Sequence, residues 1–297
     1  MPARRARRAS ASSKDESTMS RPDTTRPHTL AEETGEKQSD GRDSDDTLFV
    51  ASLAKGLKVL ECFEGGKARL SLTEIDARAN IGKSAAQRAV HTLFKLGYLG
   101  RDESAKRYRL SPKLLSLISS YSFGQDLLEA GLPEMKRCHE ETGETVNITE
   151  RDGTEMVCIA RIPGRHAVTI YIGVGWRVPA FATGPGLVAL AHEPPDAARR
   201  LLEASDRVAY TKQTVTDVEA LIRWLTEIRS DGYVIADQLL NEGEYSLAAP
   251  IFDSEQKYVA SFNISLPVSR WSLHDLRGKM VPLVTETARR ITANLAR

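Results

Sequence analysis

Residues 71–110, SLTEIDARANIGKSAAQRAVHTLFKLGYLGRDESAKRYRL, predict a helix, a short turn, a second helix and a basic hairpin. Two capping boxes are expected to start the helices, Ser71 with Glu74 and Ser84 with Gln87, because such pairs satisfy backbone N–H groups that lack a partner inside the helix. This order of elements is typical of a winged helix-turn-helix that binds DNA. The sequence therefore predicts that the second helix reads the major groove.

The second helix is expected to cover residues 85–96 and to end at Gly97, which tolerates the left-handed conformation found after helices. Its inward face is expected to consist of Ala86, Ala89, Val90, Leu93 and Leu96. Its outward face offers arginine for guanine edges, glutamine for adenine and small side chains near thymine methyl groups. The predicted DNA contacts are Lys83, Ser84, Ala85, Gln87, Arg88, His91 and Lys95.

The hairpin after this helix is expected to form strands 98–101 and 106–110 around a turn at 102–105. Its predicted phosphate contacts are Arg101, Lys106, Arg107 and Arg109. The whole chain has 41 basic and 40 acidic residues, so its net charge does not point to nucleic acid, but residues 83–109 contain mostly basic charges. A solvated basic surface is the alternative interpretation; two capped helices beside a basic hairpin favour DNA binding.

Residues 1–47 contain few large apolar side chains, so we expect a disordered tail. The tail begins MPARRARRAS without the apolar stretch of a secretory signal, and the sequence contains no run of 18 apolar residues. These features predict a cytoplasmic protein without a membrane partner. The arginines of the tail could enter a minor groove, but a solvated tail or a misassigned start is the favoured interpretation.

Residues 48–110 are predicted to form the DNA-binding domain, with a first helix at 52–63 that Gly65-Gly66 ends. A linker helix is expected at 111–124. Its Leu114, Leu115, Leu117 and Ile118 are apolar on more than one side, which indicates a role in pairing two chains. Helix-turn-helix proteins usually bind two half-sites about 10 base pairs apart, so a dimer is expected.

Residues 125–297 are predicted to form an α+β domain with an antiparallel sheet. The expected order is a helix at 126–142, strands at 145–150 and 155–162 around Asp152-Gly153, and a strand at 167–174. A helix is expected to start at Thr216 with Glu219 completing a capping box. Strands at 233–237, 245–252 and 258–265 follow, and an amphipathic helix from about Ser272 ends the chain.

Several blocks of the sequence resemble the IclR family of bacterial transcription regulators over residues 50–297. These blocks are SLAKGLKVLECF, SLTEI with HTLFKLGYL, KRYRLSPKLL, VGWRVPAFATGPGLVALA and DQLLNEGEYSLAAPIFD. IARIP and VPAFAT are similar to the branch that regulates protocatechuate, 4-hydroxybenzoate and β-ketoadipate catabolism. The resemblance implies a winged helix-turn-helix, a linker helix, a profilin-like or GAF-like effector-binding domain, and homodimers or homotetramers.

The resemblance also implies that a small organic acid binds in a cup on the sheet of the second domain and controls DNA binding or activation. The residues that it places in a loop around the cup are Phe181, Ala182, Thr183, Gly184, Pro185 and Gly186. Backbone amides near these glycines could hold a carboxylate. The strand residues that it assigns to the cup are Asp237, Ser246, Asn263 and Ser265, with Arg161 and Tyr171 as further candidates on earlier strands.

Each of these residues also has a purely structural interpretation. Asp237 could cap a turn, Ser246 and Ser265 could be small sheet residues, and Arg161 could pair with Glu155.

The chain departs from that branch in two places. Residues 183–187, TGPGL, stand where the branch reads close to TSMGR, so an arginine is missing, and residues 237–241, DQLLN, have lost two acidic positions. We therefore expect a less charged or larger aromatic acid as the effector. Tight binding of β-ketoadipate without binding of any aromatic acid would contradict that expectation.

Two other functions remain open at this stage. The sequence contains no GxSxG, GxxxxGK[ST] or GxGxxG motif and suggests no catalytic residue, although Asp237 with His192 or His274 could form an acid/base pair in an enzyme. A DNA-binding protein without a ligand would require side chains to fill the cup, for which Leu187, Leu239 and Leu240 are candidates.

No cofactor or metal is expected. Cys62, Cys138 and Cys158 are widely spaced, which predicts buried thiols rather than disulfides or a zinc site, and the six histidines show no metal-ligand spacing.

Overall fold

The computed structural model describes residues 47–64, 68–102, 104–123, 126–165 and 173–296; side chains are described in the same ranges except 119–123. Contacts divide the chain into two compact units, one that ends at Leu110 and one that begins at Ser111. The predictions for the tail at 1–46, for Gly65-Gly66, for Tyr171 and for most of the strand at 167–174 lie outside the described residues. Val174, the last residue of that predicted strand, lies in a turn.

The first unit has the element order of a winged helix-turn-helix. Its elements are α1 (Ala51–Glu61), β1 (Leu70–Ser71), α2 (Leu72–Ala79), α3 (Lys83–Lys95), β2 (Leu99–Asp102) and β3 (Arg107–Leu110). The strands form an antiparallel sheet in the order β1-β3-β2. Side chains from all three helices, such as Val59, Ile75 and Val90, share one core with Leu70 and Leu99.

The first predicted capping box is confirmed and the second is wrong. Ser71 Oγ accepts from Glu74 N, and Glu74 Oε2 accepts from Ser71 N. In contrast, α3 begins one residue before Ser84, after a Gly82 whose φ is +84°, and no side chain caps it. Ser84 is therefore inside the helix and cannot be its cap.

The end of α3 also differs in one detail from the prediction. Gly97 has the predicted positive φ, at +80°. Leu96 was expected to pack inward, but it follows the last helical residue and its exposed fraction is 54%. Ala86 and Val90 are buried as predicted.

The second unit is an α+β domain. Its strands are β4 (Thr145–Asp152), β5 (Glu155–Ile162), β6 (Arg177–Pro179), β7 (Val234–Asp237), β8 (Glu244–Phe252) and β9 (Tyr258–Pro267). They form one antiparallel sheet in the order β6-β5-β4-β9-β8-β7. Its helices are α4 (Lys113–Phe123), α5 (Asp126–Thr142), α6 (Gly184–Ala191), α7 (Pro195–Ala204), α8 (Val218–Asp231), α9 (Leu273–Asp275) and α10 (Val281–Leu295).

Helices α5 and α10 pack on one face of this sheet, where Ile148, Phe262 and Ile264 are fully buried. Helix α6 contacts strands β4, β5, β7, β8 and β9 and packs against α7 and α8 in a second core. All eight residues of α6 are buried. The sheet is thus covered on both faces, and α6 is the element that lies over the centre of the second face.

Two predictions for this unit need correction, and two of its helices were not predicted. Asp217, not Thr216, caps α8, with its carboxylate accepting from Ala220 N at 2.8 Å, and Glu219 instead pairs with Arg199. Helices α6 and α7 were not predicted. Strand β4 extends through the predicted turn residue Asp152, so the turn begins at Gly153.

None of the helices in the described ranges has the length and apolar composition needed to cross a membrane.

The prediction of buried thiols is confirmed for all three cysteines, Cys62, Cys138 and Cys158. Burial raises the pKa of Cys138 to about 12 and that of Cys158 to about 11. Both thiols therefore stay protonated at neutral pH, which makes them poor nucleophiles and poor metal ligands.

Candidate DNA-binding surface and ligand cavity

The predicted contact residues of α3 lie on its solvent face. Ala85 is half-buried, and the other predicted side chains are exposed: Lys83, Ser84, Gln87, Arg88, His91 and Lys95. Thr92 also faces outward, but its hydroxyl donates to Arg88 O at 2.9 Å. The helix therefore presents a continuous face of basic and hydrogen-bonding groups, as a major-groove reader requires.

The basic side chains of the wing differ in their surroundings. Lys106 and Arg109 are exposed, and Lys106 lies in the turn with a φ of +51°. Arg101 is exposed and lies over the Tyr108 ring, 5.8 Å from its centroid. Lys106 and Arg109 can reach phosphate without breaking an ion pair to any residue in the described ranges.

Arg107 differs from the other wing residues because it is bound by neighbours within the first unit. Its guanidinium pairs with Glu74 at 3.2 Å and donates to Arg69 O at 3.1 Å. Hydrogen bonds from the Ser71 backbone and hydroxyl, together with Arg107, lower the pKa of Glu74, so this pair stays ionised. The placement gives Arg107 a role in fixing β3 against α2.

The second unit contains a cavity of about 600 Å³, including its open mouth, on the face of the sheet that α6 covers. Its floor is made by the central strands β4 and β9, in which polar and apolar residues alternate. The apolar residues point to the α5–α10 side, whereas the side chains that point to the cavity are Asn147, Thr149, Asn263 and Ser265.

Neighbouring elements complete the walls. Strand β5 contributes Cys158 and Arg161, and strand β8 contributes Glu244 and Ser246. The segment before α6 contributes Trp176, Val178, Ala182 and Thr183. Pro185 and Ala236 also line the cavity, and the segment after β7 contributes Leu239, Leu240 and Asn241. Leu239 and Leu240 thus line the cavity without filling it, and Leu187 belongs to the core behind it.

Two polar atoms at the cavity are buried without a hydrogen-bond partner among the described residues, Thr149 Oγ1 and Asn263 Oδ1. Both residues are at most 5% exposed. Because a buried polar atom without a partner destabilises the native state by about 1–3 kcal/mol, such atoms call for an explanation. A bound molecule that hydrogen bonds to them would supply one.

The segment 181–186 is a helix start rather than an exposed loop. Thr183 caps α6, and its hydroxyl accepts from Gly186 N at 3.3 Å. Pro185 has no N–H, and the Gly186 N–H already donates to Thr183, so neither residue offers an amide to a ligand. Phe181, Gly184 and Gly186 are buried and are not among the lining residues, while Ala182, Thr183 and Pro185 are.

Of the strand candidates, Ser246, Asn263, Ser265 and Arg161 lie at the cavity, and Asp237 does not. Asp237 is the last residue of β7, and its Oδ1 accepts from Gln238 Nε2 at 3.0 Å. Arg161 does not pair with Glu155, which binds Arg177; its Nη1 donates to Asn147 Oδ1 at 3.0 Å.

Sequence reasoning missed several cavity residues, chief among them Asn147, Thr149 and Glu244. The signal for the first two was available, since both alternate with fully buried Val146 and Ile148 on a central strand. From the pattern alone, a polar residue at such a position fits a solvent-exposed face equally well. Only the position of α6 shows that this face is covered.

The two units define a class of protein: a DNA-binding domain of winged helix-turn-helix form joined to a domain whose cavity is lined by polar side chains, as in a ligand-responsive transcription regulator. Family comparisons agree with this. The model of the IclR helix-turn-helix domain matches residues 52–103, and that of the bacterial transcriptional regulator IclR C-terminal domain matches residues 120–293. The chain belongs to the IclR family, whose members are transcriptional regulators rather than enzymes.

Individual proteins of known name or structure are similar to this chain over most of its length. The chain is 31% identical to the Pca regulon regulatory protein of Pseudomonas putida, over 82% of this chain and 84% of that protein. It is 28% identical to the p-hydroxybenzoate hydroxylase transcriptional activator of Acinetobacter baylyi, over 81% and 90% of the two chains. An IclR homolog from Microbacterium hydrocarbonoxydans, solved in complex with 4-hydroxybenzoate, superposes with a TM-score of 0.73 at 27% identity and covers 82% and 98%.

Proposed function

We propose that this regulator responds to a small organic acid, aromatic or β-keto, that binds in the cavity over β4 and β9 and changes the affinity of the protein for a DNA operator. The observation that carries the proposal is the pair of buried atoms, Thr149 Oγ1 and Asn263 Oδ1, that face the cavity without a partner among the described residues. Polar atoms in that position match a ligand with its own hydrogen-bonding groups.

The acid would be anchored by side chains more than by the glycines of α6. Arg161 lines the cavity, and Asn147 holds its guanidinium in place. A guanidinium is the side chain best suited to a carboxylate. The arginine that the sequence lacks at residues 183–187 thus has a counterpart on β5. The pathway relatives and the 4-hydroxybenzoate complex support an aromatic acid for this chain as well.

On the DNA side, we propose that Arg88 and Gln87 contact base edges and that Lys106, Arg101 and Arg109 contact phosphates, with the further α3 side chains Lys83, Ser84, Ala85, His91 and Lys95 at the same surface. Their exposure on α3 and on the wing supports these roles. A DNA operator as partner implies that the protein works in the cytoplasm.

A homodimer or homotetramer is also part of the proposal. Helix α1 exposes Leu53 and Leu57, and helix α4 exposes Leu115, Leu117 and Ile118, each at 50% or more. Apolar side chains in rows on a helix are typical of surfaces that pair. Two copies would give the two reading helices that half-site operators need.

The test is fluorescence anisotropy of the full chain on DNA from its own upstream intergenic region and on scrambled DNA, with and without aromatic and β-keto acids. Preference for the native DNA that shifts with one acid is expected. Equal binding to both DNAs, or native binding that no acid changes, would count against the proposal. A Thr287→Val variant, altered at a buried hydroxyl away from the cavity lining, serves as a control for general destabilisation.

A further inference from the structure

The cavity has charged groups of opposite sign at two places on its wall. Arg161 is on β5, and its guanidinium is oriented by Asn147. Glu244 is the first residue of β8, and Asn241 Nδ2 donates to its Oε2 at 3.1 Å. Both charged residues line the same cavity. An acid bound by Arg161 therefore faces a carboxylate elsewhere on the wall.

The register of the sheet places the backbone positions of these two residues far apart. Arg161 pairs with Asn147, Asn147 with Asn263, and Asn263 with Ala248, so three inter-strand steps separate β5 from β8. At about 4.8 Å a step, the two strands are about 14 Å apart across the sheet. Glu244 lies four residues before Ala248, about 13 Å further along the strand. An acid bound by Arg161 would therefore meet Glu244 with its opposite end.

Glu244 forms no ion pair with any residue in the described ranges, although it is half-buried at the cavity. Its carboxylate can accept several hydrogen bonds, and the structure shows one, from Asn241. A carboxylate at this position favours the binding of a ligand group that donates a hydrogen bond and disfavours the binding of a second anionic group.

Apart from the hydrogen bond from Asn241, the turn before β8 is closed by contacts that do not use the Glu244 carboxylate. In that turn, Gln238 N donates to Glu244 O at 3.0 Å, and Gly243 N donates to Gln238 Oε1 at 2.8 Å. Gly243 has a φ of +84°, which a glycine adopts without strain. Because backbone bonds and Gln238 also hold the turn, the carboxylate of Glu244 can accept further hydrogen bonds from a group in the cavity.

We propose that Glu244 sets the effector specificity by accepting a hydrogen bond from the end of the effector opposite its carboxylate. This inference rests on the proposed function. It narrows the effector to an elongated acid with a hydroxyl or ammonium donor at its far end, and it makes dicarboxylates poor ligands because their second carboxylate meets Glu244.

The test is calorimetric titration of the full chain with four acids on one scaffold: benzoate, 4-hydroxybenzoate, 4-(aminomethyl)benzoate and terephthalate. In the native protein the two donor-bearing acids are expected to bind more tightly than benzoate, and terephthalate more weakly. Glu244→Gln removes the charge and keeps an oxygen for Asn241. This variant is expected to bind 4-(aminomethyl)benzoate at least tenfold more weakly than the native protein and to bind terephthalate more tightly. Its affinity for benzoate should stay within about twofold of the native value.

The matched control is Glu242→Gln, which makes the same charge change at an exposed neighbour in the same turn and should leave all four affinities unchanged. If Glu244→Gln shifts all four acids by one common factor, or if benzoate binds while every para-substituted acid is excluded, the role of Glu244 is overturned and the proposed function stands. If no aromatic or β-keto acid binds a protein that still recognises its operator, both are overturned.

Discussion

Thr149→Val should make the ligand-free second unit more stable. Thr149 is 4% exposed, and its hydroxyl has no hydrogen-bond partner among the described residues. Valine has nearly the same shape and no polar atom to desolvate. Because an unsatisfied buried hydroxyl destabilises the native state by about 1–3 kcal/mol, its removal is expected to raise the free energy of unfolding by about 1 kcal/mol or more.

The same substitution at Thr287 is the matched control. Thr287 is 5% exposed, but its hydroxyl donates to Leu283 O at 2.7 Å. Thr287→Val loses that satisfied bond and should lower the free energy of unfolding by about 0.5–1.5 kcal/mol. Two equally buried threonines are thus predicted to respond with opposite signs.

Tryptophan fluorescence is the assay, because all three tryptophans, Trp176, Trp224 and Trp271, belong to the second unit. In a domain of 150–250 residues, 1 kcal/mol corresponds to about 2–4 °C in Tm. A rise of that size for Thr149→Val, together with about tenfold weaker effector binding, is expected. A loss of stability equal to that of Thr287→Val would refute the reasoning, since it would mean that the Thr149 hydroxyl has a partner.

Three other predictions concern separate parts of the molecule. In anisotropy titrations, Arg88→Ala should weaken operator binding by about 1–3 kcal/mol and relax the preference at one base pair, whereas Lys106→Ala should weaken all sequences alike; equal losses for both variants on every DNA would remove Arg88 as a reader. Gly186→Ala should lower the free energy of unfolding by about 1–3 kcal/mol in denaturant titrations, because its Cβ would lie 2.1 Å from Ala180 O; an unchanged midpoint would contradict this. Burial lowers the pKa of His192 below its usual value of about 6.5, so the native state binds fewer protons than the unfolded chain. The contribution of His192 to the free energy of unfolding should therefore be full above pH 6.5 and decrease as the pH falls. His192→Phe should flatten that decrease in thermal melts of the two proteins at a series of pH values, and identical pH profiles would contradict this prediction.

The winged helix-turn-helix could be predicted from sequence because local signals and packing agree there. The Ser71 box, the buried pair Ala86 and Val90, and the positive φ of Gly97 all coincide with the predicted pattern. The Ser84 box failed because the motif of serine and glutamine three residues apart also fits the interior of a helix. Without the tertiary structure, the first turn that starts after Gly82 cannot be distinguished from one that starts after Ser84.

Helix α6 could not be predicted for a different reason. Its sequence, GPGLVALA, has glycine and proline at its start and apolar residues everywhere else, so it shows no periodic polar face. All eight residues are buried because the helix lies between the sheet and α8. A helix that is apolar on every side is defined by its tertiary contacts, and the pattern alone does not separate it from a buried loop.

The position of the cavity follows from the fold, and its chemistry follows from a few side chains. Strands β4 and β9 must be apolar towards α5 and α10, where Ile148 and Phe262 are fully buried, but the opposite face is free to carry polar groups under α6. A sequence selected only for stability would fill that face with apolar side chains, because unsatisfied polar atoms there are destabilising. The polar atoms of Thr149 and Asn263 on this face are therefore the observation on which the proposed ligand site depends, since the side chains of a site, and not the fold, define its function.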